Sequence, residues 1–259
     1  MSILCNIETS SYINTRMKII KLSAINSTNS FLKEMVSDSM VDDFTVVVAK
    51  KQTSGRGQMD TKWVSENGKN LIMSVFCKFS ELFIAQQKFL NYAVSISVFE
   101  AVKNYKPPKL AIKWPNDILS EKDKIGGILI ENSLKKDKIQ SSVVGVGLNV
   151  NQEVFPVDLP NASSIKKKIN KEVDLEEILN LVLQQLQLNI QLLRDKQYEL
   201  LEEKYLRVLY KKNVPSMFKN SQNVLFMGKI VGISSEGKLQ IELNDETIQE
   251  FGLKEVSFV

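Results

Sequence analysis

The chain has 259 residues, of which 43% are hydrophobic, so it can bury a sizeable core as one large domain or as a large and a small one. Its formal net charge of +4 is mild and its lysines are scattered, a pattern that does not indicate nucleic-acid binding. No apolar run is long enough to span a bilayer and no secretory signal is visible, so we expect a cytoplasmic protein without a membrane segment.

The residue types that are scarce restrict the chemistry. The sequence has 0 histidines, which excludes Ser–His and Cys–His nucleophile pairs, histidine general bases and histidine metal sites. The cysteines are Cys5 and Cys77, too few for a disulfide framework or a zinc cluster. Any catalysis must therefore use lysine, arginine, carboxylates, backbone amides or a metal ion that arrives with a substrate.

The first half of the chain predicts alternating strands and helices. In chain order the pattern predicts a strand at 19–25, a helix that begins at Ser27–Ser30, a strand at 44–49, a polar loop at 50–70, a strand at 71–79 and a helix at 83–105. Long loops inside a compact domain are usually functional, so the 50–70 segment is a candidate for a site.

The second half continues this pattern and then changes character. In chain order we expect a strand at 110–114, a hairpin from 118 to 131 around the charged turn Glu121–Lys124, a strand at 142–150 and a solvated turn at Lys166–Lys168. Asp174 and Glu177 then form a capping-box-like start for a helix over 175–193, which continues after a break to 210. Short alternating runs after residue 215 indicate a small all-β unit. The prediction is an α/β (α+β) fold with a mixed sheet covered by helices, divided into domains 1–214 and 215–259.

Two polar segments are candidates for ligand binding. Glycines in Gln52–Gln58 let backbone amides approach an anion, and Arg56 between them adds a fixed positive charge. Pro115 breaks the strand in Lys113–Asp117, so Asn116 and Asp117 can present polar groups at a strand end. Taken singly, each segment is also ordinary turn chemistry.

Two glycine-containing strands are further candidates. Lys124 precedes a Gly126–Gly127 pair, where a cation can face a carboxylate or phosphate bound over the glycines. Gly145 and Gly147 leave one strand face without side chains, which suits a flat ligand or a closely packed helix equally well. Trp63 stands in the polar loop, where it either caps a ligand or folds onto the edge of the core.

In this order the segments resemble the biotin protein ligases over residues 25–151. The residues that carry the resemblance are Ser27-Thr28-Asn29, Gln52, Gly55-Arg56-Gly57, Trp63, Lys113-Trp114-Pro115-Asn116-Asp117, Lys124, Gly127-Ile128 and Gly145-Val146-Gly147-Leu148-Asn149. Each motif is weak alone, whereas the ordered set is specific. The resemblance implies a class II synthetase-like catalytic domain, followed by a small SH3-like β-barrel.

The resemblance also implies an activity. It is the ATP-dependent joining of biotin, through biotinyl-5′-adenylate, to a lysine of a biotin carboxyl carrier protein, with Mg²⁺ accompanying ATP. The catalytic residues would be Lys124, Arg56 and Asp117. Biotin would contact Ser27, Thr28, Asn29, Gln52, Gly55, Arg56, Lys124, Gly127, Ile128 and Gly145. The adenylate would contact Gly57, Gln58, Trp63, Asn116, Asp117, Lys124 and Asn149.

Several alternatives stay open at this point. The sequence departs from the family pattern at Gln58, Asp60 and Thr61, where relatives carry more cations or a glycine, so the grip on the adenylate is expected to be weaker. A lipoate-protein ligase and a biotin-binding module without catalysis would share the motifs. A DNA-binding repressor is not expected, because only about 25 residues precede Ser27, too few for a three-helix DNA-binding unit. We expect a monomer or a homodimer.

Overall fold

The structure is a computed structural model that describes residues 5–10 and 17–259. Within these residues there are thirteen strands and five α-helices. The strands of the larger sheet are β1 Cys5–Ser10, β2 Met17–Leu22, β3 Val46–Ala49, β4 Leu71–Phe83, β5 Leu110–Lys113, β6 Asp117–Ser120, β7 Asp123–Lys135 and β8 Lys138–Leu148. The helices are α1 Thr28–Asp38, α2 Gln87–Lys103, α3 Ile165–Ile169, α4 Leu175–Arg194 and α5 Tyr198–Arg207. The strands of the smaller sheet are β9 Pro215–Asn220, β10 Leu225–Ile233, β11 Leu239–Leu243, β12 Ile248–Phe251 and β13 Val256–Phe258.

The larger sheet has the strand order β1-β2-β3-β4-β8-β7-β6-β5. The β2/β3 pair is parallel, whereas the other neighbouring pairs are antiparallel, so the predicted mixed sheet is confirmed. The three longest strands, β4, β7 and β8, lie side by side in the order β4-β8-β7. Their apolar side chains supply packing surfaces for helices on both faces.

Alternating side chains of β4 divide the core into two layers. Met73 and Val75 belong to the main core, which also contains buried residues of α2, α4 and α5. Phe76 points to the opposite face and packs with Leu32 of α1 in a second, smaller cluster. Since side chains alternate along a strand, Ser74 shares the face of Phe76 and therefore lies on the α1 side of the sheet.

The smaller sheet is antiparallel and has the order β12-β11-β10-β9-β13. This arrangement is consistent with an SH3-like unit, although no pairing joins β12 to β13 in the described part of the chain, so the sheet is not a closed barrel. Phe218, Ile230, Ile241 and Phe251 are buried and belong to the same main core as the apolar side chains of the larger sheet. A domain boundary after residue 214 coincides with the start of β9 at Pro215 and remains our proposal.

Two expectations for charged segments were wrong. The sequence predicts Lys124 in the turn before β7, but the residue lies inside that strand, where it pairs with Leu119 of β6. The basic run expected in a solvated turn forms α3 instead, and Lys168 is largely buried against Glu121 and Asp123 at 2.8 and 2.7 Å. Within residues 17–259, no helix combines the length and the apolar character needed to cross a bilayer.

Candidate active site

A cavity of about 440 Å³ lies on the α1 side of the larger sheet and extends to the smaller one, a size typical of small-molecule sites. Most of the site residues predicted from the sequence line it. They are Ser27, Thr28, Asn29, Gln52, Arg56, Gly57, Gln58, Trp63, Asn116, Asp117, Lys124, Gly127, Ile128 and Gly145. Gly55 and Asn149 do not line the cavity.

The polar segment after β3 is a loop, as predicted, and residues 55–63 within it form a short hairpin. Trp63 N–H donates to the Gly55 carbonyl at 2.9 Å, and Gly57 N–H donates to the Thr61 carbonyl at 2.7 Å. At the tip, Met59 adopts a left-handed conformation with φ 49°. Gly55 is required here, since a Cβ at this position would lie 2.4 Å from the Trp63 carbonyl oxygen. Gly55 thus allows the hairpin conformation that positions Trp63 at the cavity.

One end of the cavity is a network of polar side chains at the start of α1. Ser27 caps the helix by accepting from Ser30 N–H, as the sequence predicts. Gln52 Oε1 accepts from Thr28 N–H at 2.8 Å and lies 3.1 Å from Thr28 Oγ1. Ser74 Oγ, on β4, lies 2.7 Å from Thr28 Oγ1. These contacts fix the orientation of every polar group that this end presents.

Asn29 extends the network and depends on a glycine beneath it. Its Oδ1 lies 2.6 Å from Ser74 Oγ, and its Nδ2 donates to Glu131 Oε2 at 2.8 Å. A Cβ at Gly145 would lie 2.3 Å from Asn29 Oδ1, so a larger residue on β8 would displace this amide. We call the set Thr28, Asn29, Gln52 and Ser74 the polar end.

Trp63 covers the strand face at Gly127 and Gly147. The sequence predicts a flat ligand or a packed helix on the face of Gly147. A Cβ at Gly147 would lie 2.5 Å from Trp63 Cε2, and one at Gly127 would lie 3.2 Å from Trp63 Cζ3. The indole therefore lies directly on both strands. Its Nε1 is buried and has no hydrogen-bond partner among the described residues, although a buried indole N–H usually has one.

The other end of the cavity is cationic and centres on Lys124. Its Nζ lies 2.6 Å from Asp117 Oδ1 and 5.9 Å from the centroid of the Trp63 ring. Its backbone is held by the segment before α3: Lys124 N–H donates to the Asn161 carbonyl, and Ser163 N–H donates to the Lys124 carbonyl. Lys124, which is predicted to face a ligand carboxylate or phosphate, thus has a backbone fixed by hydrogen bonds and a side chain paired with Asp117.

Arg56 has a counter-ion as well. Its guanidinium lies 3.1 Å from Glu131 Oε2, and Lys33 donates to Glu131 Oε1 at 2.9 Å. Burial alone would raise the pKa of Glu131, but hydrogen bonds from Lys33 and Asn29 and the charge of Arg56 hold that pKa below its usual value. The carboxylate is therefore ionised at neutral pH, and it ties the hairpin to α1 and β7.

The turn between β5 and β6 is clamped to the fold. Its Trp114–Pro115 peptide bond is cis. The Pro115 carbonyl accepts from Asn91 Nδ2 at 2.7 Å and from Tyr205 Oη at 3.1 Å. The buried amide of Asn116 donates to the Ile128 carbonyl. These contacts hold the turn, and with it Asp117, against β7.

Asn149 lies behind the cavity wall. Its Nδ2 donates to the Ser163 carbonyl at 3.0 Å, so it supports the same segment that holds the Lys124 backbone. Its Oδ1 is buried and has no partner among the described residues. An unpaired buried acceptor costs free energy until a donor reaches it.

The smaller sheet and further lysines also contribute to the cavity wall, which the sequence does not predict. The wall includes Lys62, Lys113, Leu253, Lys254 and Phe258. Lys254 Nζ donates to the Met59 carbonyl at the hairpin tip at 3.3 Å, across 195 positions of sequence. No motif or spacing indicates such a contact, because it depends on how the two sheets pack. Lys113 belongs to the Lys113–Asp117 motif, but the sequence indicates no binding or catalytic role for it.

The acidic groups in the described part of the chain do not form a dedicated metal centre. Within the described residues, no group of three carboxylate or thiol side chains is close enough to hold a metal ion. Asp117 is the one carboxylate on the cavity wall among those residues. Mg²⁺ usually keeps several waters and binds one or two carboxylates together with substrate phosphates. The wall thus fits a magnesium ion bound to a nucleotide better than one held by the protein alone.

Comparison with known proteins gives one consistent result. A model of the biotin/lipoate A/B protein ligase family matches residues 22–149. Biotin–protein ligase 2 of Arabidopsis thaliana is 30% identical over 236 residues, which cover 86% of this chain and 69% of that protein. The bifunctional ligase/repressor BirA of Bacillus subtilis is 29% identical over 241 residues, 88% of this chain and 70% of that protein.

A solved structure extends the likeness to the whole fold. The biotin protein ligase from Aquifex aeolicus in complex with biotin and ATP superposes with a TM-score of 0.75 at 28% identity, covering 93% of this chain and 98% of that one. The superposed 93% of the chain extends over both sheets. The chain therefore belongs to the biotin/lipoate A/B protein ligase family, as one of its biotin protein ligases.

Proposed function

We propose that this ligase activates biotin with ATP as biotinyl-5′-adenylate and transfers the biotinyl group to a lysine of a biotin carboxyl carrier domain. The acceptor would belong to a biotin-dependent carboxylase in the cytoplasm. The relatives that support the choice of acceptor include the biotin–[acetyl-CoA-carboxylase] ligases of Mycobacterium tuberculosis and Paracoccus denitrificans, 32% identical over about half of this chain.

One observation carries the proposal: the polar end and the cationic end lie along one strand face. Gly145 lies under Asn29, and Gly147, two residues along β8, lies under Trp63 and opposite Gly127 in the ladder. Residues i and i+2 of a strand are about 7 Å apart and share a face. A ligand with a polar head and an acidic tail can therefore occupy both ends at once, as biotin would.

The first reaction would be carried by the cationic end. The carboxylate of biotin attacks the α-phosphorus of ATP, an oxygen–phosphorus bond forms, and the bond to pyrophosphate breaks. Negative charge accumulates on the phosphoryl oxygens in the transition state, and fixed positive charges stabilise it. Lys124 would contact the reacting carboxylate and the phosphate, with Arg56 beside the ligand in the hairpin.

The second reaction would transfer the acyl group. The neutral amine of the acceptor lysine attacks the acyl carbon, the new amide bond forms, and AMP leaves with the former anhydride oxygen. We assign Asp117 as the acceptor of the proton that the amine loses, because it is the carboxylate beside Lys124. The hairpin with Trp63 and Gly57 would shield the anhydride from water.

The nucleotide would bind at the Trp63 side of the cavity. The indole of Trp63 can stack on a purine after a small movement, and the same movement would open Asn149 Oδ1, now behind the wall, to an exocyclic amine such as that of adenine. Magnesium would arrive with ATP, held mainly by the phosphates with Asp117 as its protein ligand. Asn116, whose amide is committed to Ile128, would support this side indirectly.

The composition of the polar end favours biotin over lipoate. Thr28, Asn29, Gln52 and Ser74 are hydrogen-bonding groups that pair with one another, and an apolar dithiolane ring would leave the remaining hydrogen-bonding capacity of those that line the cavity unmet. Burying such groups unpaired costs about 1–3 kcal/mol each. Calorimetry with the two acids is the direct comparison, and we expect binding of biotin with no measurable binding of lipoate.

Mass spectrometry of a carrier domain tests the whole proposal. We expect a domain incubated with the protein, biotin, ATP and magnesium to gain one biotinyl group at a single lysine. The matched control replaces that lysine by arginine, and the label should then disappear. An unmodified wild-type domain, under conditions where the protein is folded and binds biotin, would contradict the transfer step.

A further inference from the structure

The hydrogen bonds of the polar end contain an imbalance between donors and acceptors. Three short contacts join four oxygens in a row: Gln52 Oε1 to Thr28 Oγ1 at 3.1 Å, Thr28 Oγ1 to Ser74 Oγ at 2.7 Å, and Ser74 Oγ to Asn29 Oδ1 at 2.6 Å. The two hydroxyl groups bring one proton each. Two protons cannot serve three contacts, so the row of oxygens is one donor short.

Both ends of this row are fixed by groups outside it. At one end, Thr28 N–H donates to Gln52 Oε1 at 2.8 Å, so the oxygen and not the nitrogen of that amide faces the row. At the other end, Glu131 Oε2 and the Leu129 carbonyl accept from Asn29 Nδ2 at 2.8 and 3.3 Å. An ionised carboxylate can only accept hydrogen bonds, so it holds the nitrogen of Asn29 and leaves Oδ1 toward Ser74.

We infer that Glu131 is a specificity-determining residue, which holds the Asn29 amide so that the polar end lacks a donor and selects a ligand carrying adjacent N–H groups. This inference rests on the proposed function, in which the ligand is biotin. The cyclic urea of biotin carries two N–H donors beside one carbonyl acceptor. Glu131 itself does not line the cavity and acts through Asn29, so it is a positioning residue.

The alternative orientation explains why the carboxylate matters. If Asn29 rotated by about 180°, its Nδ2 would face Ser74 and supply the missing proton from within the protein. The row would then be satisfied without a ligand, and its demand for an external N–H donor would disappear. Glutamine at position 131 permits this rotation, because its amide nitrogen can donate to Asn29 Oδ1 while its size is unchanged.

The test compares two ligands on matched variants. Calorimetry without ATP would measure the affinity for biotin and for an analogue in which a ring oxygen replaces one ureido N–H. We expect the wild-type protein to prefer biotin by about 10- to 100-fold, the cost of one unmatched buried hydrogen bond. In Glu131→Gln we expect biotin to be preferred over the analogue by about 3-fold or less, because the affinity for biotin falls while the affinity for the analogue stays unchanged.

Lys33→Ala is the matched control, since it removes the exposed partner of Glu131 and leaves the carboxylate with Arg56 and Asn29. We expect this variant to keep the wild-type preference. Glu131→Asp retains a carboxylate and should keep more of the preference than Glu131→Gln. If the role of Glu131 were merely structural, Glu131→Gln would weaken the binding of both ligands equally. An unchanged preference for biotin over the analogue in folded Glu131→Gln would overturn the inference.

A measurement on the wild-type protein does not depend on any variant folding. In nuclear Overhauser spectra, the Asn29 Nδ2 protons should lie near Leu129 and Glu131 on β7, and contacts to Ser74 instead would also overturn the inference. A wild-type protein that binds neither ligand would instead remove the proposed function. Binding of biotin without any preference over the analogue would remove this inference alone.

Discussion

The two ends of the cavity are built in different ways. The polar end is a set of buried side chains on α1 and β4 with the half-buried Gln52 from the segment after β3, each fixed by hydrogen bonds to its neighbours. The cationic end collects side chains from the hairpin, the β5–β6 turn, β7 and the smaller sheet, and its lysines at 62, 113 and 254 have no carboxylate partner within 4.0 Å among the described residues.

This difference separates recognition from chemistry. A buried, fully oriented network discriminates between ligands, because a wrong ligand leaves polar groups unpaired. A group of partly exposed cations neutralises developing charge and tolerates a ligand that changes shape during the reaction. We therefore expect variants of the polar end to alter the affinity for biotin, and variants of the cationic end to alter the rate or the affinity for ATP.

The largest effect should follow from Lys124→Ala. Losing the central cation should lower the rate of biotinyl-adenylate formation by about 100- to 1,000-fold, the typical cost of removing one group that stabilises transition-state charge. The affinity for biotin should fall far less. Single-turnover formation of the adenylate measures this rate, and Lys122→Ala, an exposed neighbour in the preceding turn, is the control. A near-normal rate in Lys124→Ala would remove this lysine from the reaction.

Two glycine variants on the same strand sharpen the contrast. Gly145→Ala places a Cβ 2.3 Å from Asn29 Oδ1 and should weaken biotin binding by about 10- to 100-fold. Gly147→Ala places a Cβ 2.5 Å from Trp63 Cε2. It should raise the KM for ATP while changing the KM for biotin by less than about 3-fold. Steady-state kinetics with each substrate varied in turn would show the split. Equal effects of both variants on both substrates would refute the separation of the two ends.

The smallest effect should come from the contact between the two sheets. Lys254→Ala removes the hydrogen bond to the Met59 carbonyl and one partly exposed cation, so we expect the KM for ATP to rise about 2- to 5-fold. Lys219→Ala, an exposed lysine on β9 of the same sheet, should change nothing. If both variants behave alike, the smaller sheet contributes no specific group to the cavity.

The local features of the fold could be predicted from the sequence because they depend on neighbours in the chain. Ser27 caps α1 and Asp174 caps α4 as their residue types indicate, and apolar periodicity located α2. Lys168 was predicted wrongly, because its partners Glu121 and Asp123 are more than 40 positions away and no local pattern reveals them.

Many of the residues that line the cavity could be named from the sequence, but the contacts between them could not. The ordered motifs named most of the wall, yet they did not show that Trp63 lies on Gly147 or that Glu131 is the partner of Arg56. Those contacts arise from the register of β7 against β8 and the folding of the hairpin. Lys254 could not be found at all, because its part in the wall depends on how the smaller sheet packs against the larger one.

Biotin-dependent exchange of radiolabelled pyrophosphate into ATP tests the central claim most directly, because it reports formation of the acyl-adenylate without any acceptor. We expect the purified protein with magnesium to catalyse this exchange when biotin is present, and to show only background exchange without biotin or with lipoate. A folded wild-type protein that binds biotin and ATP but gives no exchange above background would contradict the account.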